Sequence, residues 1–165
     1  MQSIELIYGS LKRSEDIVLA KIEDMREHSM VLSTPGGGAH TLWILGHLAY
    51  IEALMIRDFA LGEEHPLADW QEVFDGDRIS PDARDFPEFD VVLDRCRGVR
   101  ADTIKLLGSL SEDDLDRASR NAPKAAMELF GTLRSCFAYA PEHWFMHRGQ
   151  LADARRAAGI ERMWY

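Results

Sequence analysis

Apolar side chains recur at three- and four-residue intervals over roughly the first thirty residues, which is the spacing of an amphipathic helix. The run 33–38 (STPGGG) then predicts a break in helical structure. A second helix, rich in Leu, Ile, Ala and Met, is predicted over 39–61, with Gly62 as its C-cap. The apolar positions of the first helix are Ile4, Ile7, Leu11, Val18, Ile22 and Met25.

The segment 63–89 contains three prolines and scattered aspartates, and it predicts a long crossover with one short helical turn. A third helix is predicted over 90–109, a short one after Ser111, and a fourth over 126–158, ending at Gly159. No segment shows the pattern of two strands joined by a turn. We therefore expect an all-α fold, a four-helix bundle with a long crossover between helices 2 and 3, in one domain spanning 1–165.

The composition indicates an ordinary soluble globular protein: 46% of the 165 residues are hydrophobic and 28% are charged. A net charge of −9 argues against a nucleic-acid surface, which normally requires a basic patch. The N-terminus lacks the pattern of a secretory signal, and no apolar run is long enough for a membrane span. Cys96 and Cys136 are isolated, so we expect buried free thiols and a cytoplasmic location.

Three histidines carry the candidate chemistry. His143 and His147 are four residues apart, so a helix presents both imidazoles on one face. His47 lies in the apolar second helix, and packing of the two helices would bring the three rings together. Neutral imidazole suits Zn, Ni, Fe or Cu, and three protein ligands leave a coordination position for a small-molecule substrate.

Four neighbouring residues are further candidates at this site. Gln150 is placed to hydrogen-bond a ligand histidine, while Glu142 points away from His143 and is expected in the outer shell or in solvent. His40, seven residues before His47, is expected to line the mouth of a cavity. Pro141 has two interpretations: a kink that opens room above the metal, or a helix break with Pro141 starting a new segment.

Simpler interpretations remain open for the histidines. An HxxxH pair arises often by chance in a chain with six histidines, and a histidine on an apolar face is commonly a hydrogen-bonded core residue. Three buried imidazoles would each need a separate partner, whereas one cation satisfies all three. The hypotheses are a metal-dependent enzyme, a metal-binding bundle with a structural or sensory ion, and a protein that binds no metal.

The chain resembles the DinB/YfiT-like superfamily. The similarity is carried by residues 43–48 (WILGHL), by His143-x-x-x-His147-x-Gly149-Gln150 and by the following run 151–159. It implies a four-helix bundle of up-down-down-up topology, a three-histidine site that usually holds Zn or Ni, and frequent homodimers. Members of known activity include transferases that use low-molecular-weight thiols such as bacillithiol and mycothiol, and a mycothiol-dependent maleylpyruvate isomerase. The apolar C-terminus, 163–165, is expected to cap the bundle or to join a dimer contact.

Overall fold

A computed structural model describes residues 2–35, 37–76 and 78–161. The first helix, α1 (Ser3–Glu23), begins where the Glu112 carboxylate accepts hydrogen bonds from the backbone N–H groups of Ser3 and Ile4. These bonds satisfy two of the donors that a helix start leaves free. The helix is shorter than predicted, because the chain tightens into a 3₁₀ turn at Arg26–His28.

A short β-hairpin follows, where the sequence predicted no strand pair. Strands β1 (Leu32–Thr34) and β2 (Gly37–His40) are antiparallel. Gly37 and Gly38 adopt φ angles of 146° and 87°, a region that side chains disfavour. Helical structure has already ended before this point, with α1 at Glu23 and the 3₁₀ turn at His28, and Gly37 and Gly38 belong to a hairpin strand, which corrects the expectation of a simple break.

The second helix, α2 (Thr41–Ala53), continues as a π-helical segment, Leu54–Ala60. Together they match the predicted span, and Gly62, with a φ of 65°, ends it as expected. The carbonyls at the end of the π-helical segment accept backbone hydrogen bonds from Arg120 and Asn121. This segment is therefore tied to the connection that precedes the last helix.

The crossover contains more helix than the single turn predicted. It holds a 3₁₀ turn at Ala68–Trp70, a short helix α3 (Gln71–Phe74) and a 3₁₀ turn at Ala83–Asp85. The third long helix, α4 (Phe89–Leu107), agrees with the prediction, as does the short 3₁₀ helix Asp113–Asp116.

The last long helix, α6 (Leu133–Ala157), starts later than predicted. The region from residue 124 instead forms a 3₁₀ turn, Lys124–Ala126, and a short helix α5 (Met127–Phe130). Thr132 provides the reason: its hydroxyl accepts a hydrogen bond from the Ser135 N–H at 3.1 Å, which is an N-cap. Pro141 lies inside α6, so the interpretation of Pro141 as a helix break is wrong.

The described ranges form a mostly helical fold with one small sheet, in which α1, α2, α4 and α6 pack on one another. The up-down-down-up order of these helices stays a prediction. Cys96 and Cys136 are free and buried, as expected. None of the helices in the described ranges combines the length and the apolarity that a bilayer crossing requires.

Candidate metal centre

The packing of α6 against α2 brings the three predicted histidines together. One ring nitrogen from each of His47, His143 and His147 lies within 4.8 Å of the other two. His143 is 5% exposed, and the other two are half-buried. Among the residues that the structure describes, this is the group of potential ligands placed to hold a metal ion.

Hydrogen bonds at Nδ1 fix the orientation of two of the rings. Nδ1 of His47 donates to the carbonyl oxygen of Phe74 at 2.7 Å, and Nδ1 of His147 donates to Oε1 of Gln150 at 2.7 Å. A neutral imidazole that donates from Nδ1 has a lone pair at Nε2. Both Nε2 atoms are therefore free to coordinate, in the arrangement typical of metal-bound histidines.

The geometry at His143 tests whether a cation fits. Its Nε2 atom lies 3.1 Å from Nε2 of His147. Two nitrogens bound to one tetrahedral Zn²⁺ are separated by about 3.3 Å, given Zn–N bonds of about 2.0–2.1 Å. A proton shared between these two atoms would satisfy the pair but would leave the lone pair of His47 unused. A cation would take a lone pair from each of the three rings, so the residues fit a divalent transition metal, although Nδ1 of His143 is buried without a hydrogen-bond partner among the described residues.

Burial keeps the three imidazoles uncharged. Desolvation lowers the pKa of His47 to about 4 and that of His143 to about 3, and the neighbouring histidines reinforce the shift of the pKa of His143. Burial also lowers the pKa of His147, which the Gln150 hydrogen bond partly offsets. All three rings are therefore neutral at pH 7, the form that binds metal.

Aromatic rings enclose the histidines. Trp43 stacks on His47 with the ring centroids 4.4 Å apart and the planes 13° from parallel, and Tyr139 lies over His143 with the centroids 6.2 Å apart. Trp144 follows His143 but is fully buried on another face of α6. Trp43 therefore restrains the imidazole of His47, while Trp144 belongs to the core.

The other predicted site residues have different positions. Gln150 bonds His147, as described above. Glu142 is exposed and faces α1, away from the histidines. His40 is fully buried: its Nδ1 accepts from the Trp43 N–H at 3.0 Å, and its Nε2 donates to the Ser80 carbonyl at 3.1 Å. As the N-cap of α2, His40 has both ring nitrogens engaged, and its position at a cavity mouth stays a prediction.

Pro141 lies beside a cavity of about 200 Å³ between α1 and α6. The residues that line this cavity include Pro141, Glu142 and Ile7, and none of the three clustered histidines. Space next to Pro141 therefore opens towards α1. This cavity does not support the interpretation that a kink at Pro141 opens room above the metal.

No sequence pattern pointed to the Phe74 carbonyl, which is the hydrogen-bond acceptor for His47. This oxygen belongs to the crossover, 27 residues from His47, and a backbone acceptor carries no residue-specific pattern. The stacking of Trp43 on His47 had a weak signal, since residues four apart on a helix are neighbours.

The fold is mostly helical, and three histidines converge from two of its helices. These two features place the protein among helical proteins with a candidate metal site. The family model of the DinB superfamily matches residues 10–151, a range that includes all three histidines of the cluster. The chain therefore belongs to the DinB superfamily. No curated protein and no solved structure matches it.

Proposed function

We propose that this protein binds one divalent transition-metal ion, Zn²⁺ or Ni²⁺, through Nε2 of His47, His143 and His147, and that it uses the ion in catalysis. The convergence of three neutral imidazoles within 4.8 Å carries the proposal. These nitrogen donors suit Zn or Ni better than Mg or Ca, which prefer oxygen. Three ligands leave a fourth position for a substrate atom.

The reaction class follows from this open position. A divalent ion held by His47, His143 and His147 would supply Lewis acidity that lowers the pKa of a thiol or water, so that a nucleophile would be available at neutral pH. We propose transfer of a low-molecular-weight thiol to an electrophilic substrate, with hydrolysis as the other form of the same chemistry. In thiol transfer the S–H bond breaks and its proton passes to solvent, and the sulfur electron pair forms the bond to the electrophilic carbon. The bond between that carbon and its leaving group breaks at the same time, and the leaving group departs to solvent with the electron pair.

The protein would contribute orientation of the ligands and cover on one side of the site. The Phe74 carbonyl and the Gln150 side chain fix two imidazoles in the tautomer that leaves Nε2 free. Trp43 covers one face of His47 and is 8% exposed, so it excludes water from that side. A reactive thiolate would therefore meet few competing water molecules on this wall of the site.

One observation favours a second candidate function, a bound ion with a structural or sensory role. The group of potential ligands contains only histidines, and Glu142, the acidic residue next to His143, is exposed on another face. A general base among the described side chains is therefore not evident at the cluster. Thiol transfer requires none if the thiol is already ionised, whereas hydrolysis commonly uses one.

Location, oligomeric state and partners are further parts of the proposed function. We propose a cytoplasmic homodimer with a small-molecule substrate and no nucleic-acid partner, on the basis of the acidic composition and the family resemblance. The C-terminal residues 163–165, expected at the end of the bundle or in a dimer contact, lie outside the described ranges.

Metal analysis of the purified protein and of His143→Ala tests the metal site. We expect close to one equivalent of Zn or Ni in the wild type and nearly none in the variant, because two imidazoles bind far more weakly than three. His28→Ala is the matched control, since His28 is exposed and outside the cluster. Equally low metal in wild type and His143→Ala after growth with added Zn and Ni would contradict the proposal.

A substrate screen then separates catalysis from a structural ion. The metal-loaded protein is incubated with bacillithiol, mycothiol or glutathione and a panel of electrophiles, and loss of free thiol is measured. Turnover that disappears in His143→Ala and persists in His28→Ala supports thiol transfer. Full metal loading without turnover of any thiol or hydrolysable ester supports the structural or sensory ion.

A further inference from the structure

Gly46, the residue before His47, is in closer contact with the crossover than any side chain would allow. A Cβ atom at Gly46 would lie 2.1, 2.3 and 2.4 Å from three ring atoms of Phe74. Gly46 lies in the interior of α2, where glycine costs roughly 1 kcal/mol relative to alanine. The close approach of the Phe74 ring is therefore the feature that requires glycine at this position.

The same residue that packs on Gly46 also orients the metal-ligating side chain beside it. The Phe74 carbonyl accepts the hydrogen bond from Nδ1 of His47 at 2.7 Å, while the Phe74 ring rests on the adjacent residue. Ring and carbonyl belong to one residue, so the depth at which the ring sits on α2 determines where the carbonyl meets the imidazole.

The Phe74 ring has no room to retreat. It is fully buried, and its centroid is 4.9 Å from that of Trp70 and 5.8 Å from that of Phe86. Phe86 in turn packs edge-on against His40, the N-cap of α2, with centroids 4.9 Å apart. A side chain at position 46 would therefore displace the Phe74 backbone rather than its ring alone.

We propose that Gly46 is a positioning residue for the metal centre: by admitting the Phe74 ring against α2, it places the Phe74 carbonyl on Nδ1 of His47. The inference rests on the proposed metal site. It extends that site to a hydrogen-bond acceptor in the crossover and to a residue that contacts neither metal nor substrate. Through this contact, the crossover and the metal centre are energetically linked.

The test compares metal affinity in the full chain by competition titration with Zn²⁺. We expect Gly46→Ala to bind Zn²⁺ about 10–100-fold more weakly than wild type, the usual effect of losing an outer-shell partner. In the double variant Gly46→Ala/Phe74→Ala the clash is absent, the carbonyl can return to His47, and the affinity should recover to within about tenfold of that of Phe74→Ala. Gly149→Ala, on the ligand helix, is the control, because a Cβ there meets nothing within 4 Å.

Several outcomes would overturn the inference. Folded Gly46→Ala with wild-type Zn²⁺ affinity is one. A double variant that binds more than tenfold more weakly than Phe74→Ala is another, since alanine at position 46 would then weaken binding without any clash with the Phe74 ring. If Gly46→Ala does not fold, the double variant decides alone, and an affinity more than tenfold below that of Phe74→Ala contradicts the proposal.

A metal-free measurement separates this inference from the proposed function. Two-dimensional ¹H–¹⁵N NMR of the imidazoles reports whether His47 carries its proton on Nδ1. We expect that tautomer in the wild-type protein and in the double variant, and a mixture in Gly46→Ala. A wild-type protein that shows the tautomer but binds no Zn²⁺ contradicts the metal site alone, whereas an unchanged tautomer in folded Gly46→Ala contradicts the positioning role.

Discussion

Two clusters of polar side chains lie within the helical fold, and they differ in whether the protein itself supplies a partner of opposite charge. At the first, the fully buried guanidinium of Arg100 donates to the Glu52 carboxylate at 2.7 Å, to the Leu11 carbonyl at 3.0 Å and to the Ser14 hydroxyl at 3.1 Å. It also lies over the Trp144 ring, 4.0 Å from the centroid. This cluster joins residues from α1, α2, α4 and α6.

The histidine cluster contains no comparable ion pair among the described residues. Its members are neutral, and Nε2 of His143 lies 3.1 Å from Nε2 of His147 and not against a charged group. Charge is neutralised within the protein at Arg100, whereas the histidines present lone pairs to a shared position. The comparison indicates that the first cluster serves the fold, and it supports the proposal that the second binds a metal ion.

Breaking the Arg100 cluster should have the largest effect on stability. Arg100→Met leaves the fully buried carboxylate of Glu52 without its partner, and removing one member of a buried pair typically costs about 3–5 kcal/mol. Urea denaturation of the metal-free protein measures the loss of unfolding free energy. The double variant Glu52→Leu/Arg100→Met should regain part of it, because no buried charge is left unpaired.

A double variant less stable than Arg100→Met would contradict this account of the Arg100 cluster. The comparison with the histidines would also fail if Arg100→Met kept wild-type stability. In that case the buried Arg100–Glu52 pair would not contribute to the free energy of unfolding, and the two clusters would not differ in this respect.

The histidine cluster should produce a smaller effect, visible in the pH dependence of stability. Burial lowers the pKa of His143 to about 3 in the folded state, against about 6.5 in the unfolded chain, so the unfolded state binds the proton first as pH falls. Stability is therefore lost progressively below pH 6.5. Between pH 7 and pH 5 this histidine contributes a loss of about 2 kcal/mol.

The variant His143→Ala isolates this contribution. Metal-free His143→Ala should lose about 2 kcal/mol less than wild type between pH 7 and pH 5, as measured by urea denaturation at both pH values. This window lies above the range in which the carboxylates of Glu112 and Asp114, each with a pKa lowered to about 2, take up protons. Equal losses in the two proteins would show that His143 is not held neutral by burial.

Periodicity predicted the helices well because the apolar positions follow a period of 3.6 residues. Periodicity did not predict the features that depend on backbone conformation and helix capping. The glycine run signalled a break, but only the positive φ angles of Gly37 and Gly38 reveal a hairpin. The start of α6 was placed too early, since the helix-favouring residues before it hide the N-cap at Thr132.

The three histidines of the candidate site were predictable from the sequence. The hydrogen-bond acceptor that orients His47 was not. Spacing placed His143, His147 and Gln150 on one helix, and the structure brings His47 to them. The Phe74 carbonyl was not predictable, because a backbone oxygen reached across the crossover leaves no mark in the sequence. The β-hairpin makes His40 a helix cap rather than the interior helical residue that the predicted second helix implied.

X-ray absorption at the metal edge tests the central claim most directly. For the Zn²⁺-loaded protein we predict three imidazole nitrogens at about 2.0–2.1 Å and one exchangeable light ligand. Addition of a small thiol should replace that ligand with sulfur at about 2.3 Å. A spectrum with four protein ligands, or with fewer than three imidazoles, would contradict an open centre built from His47, His143 and His147.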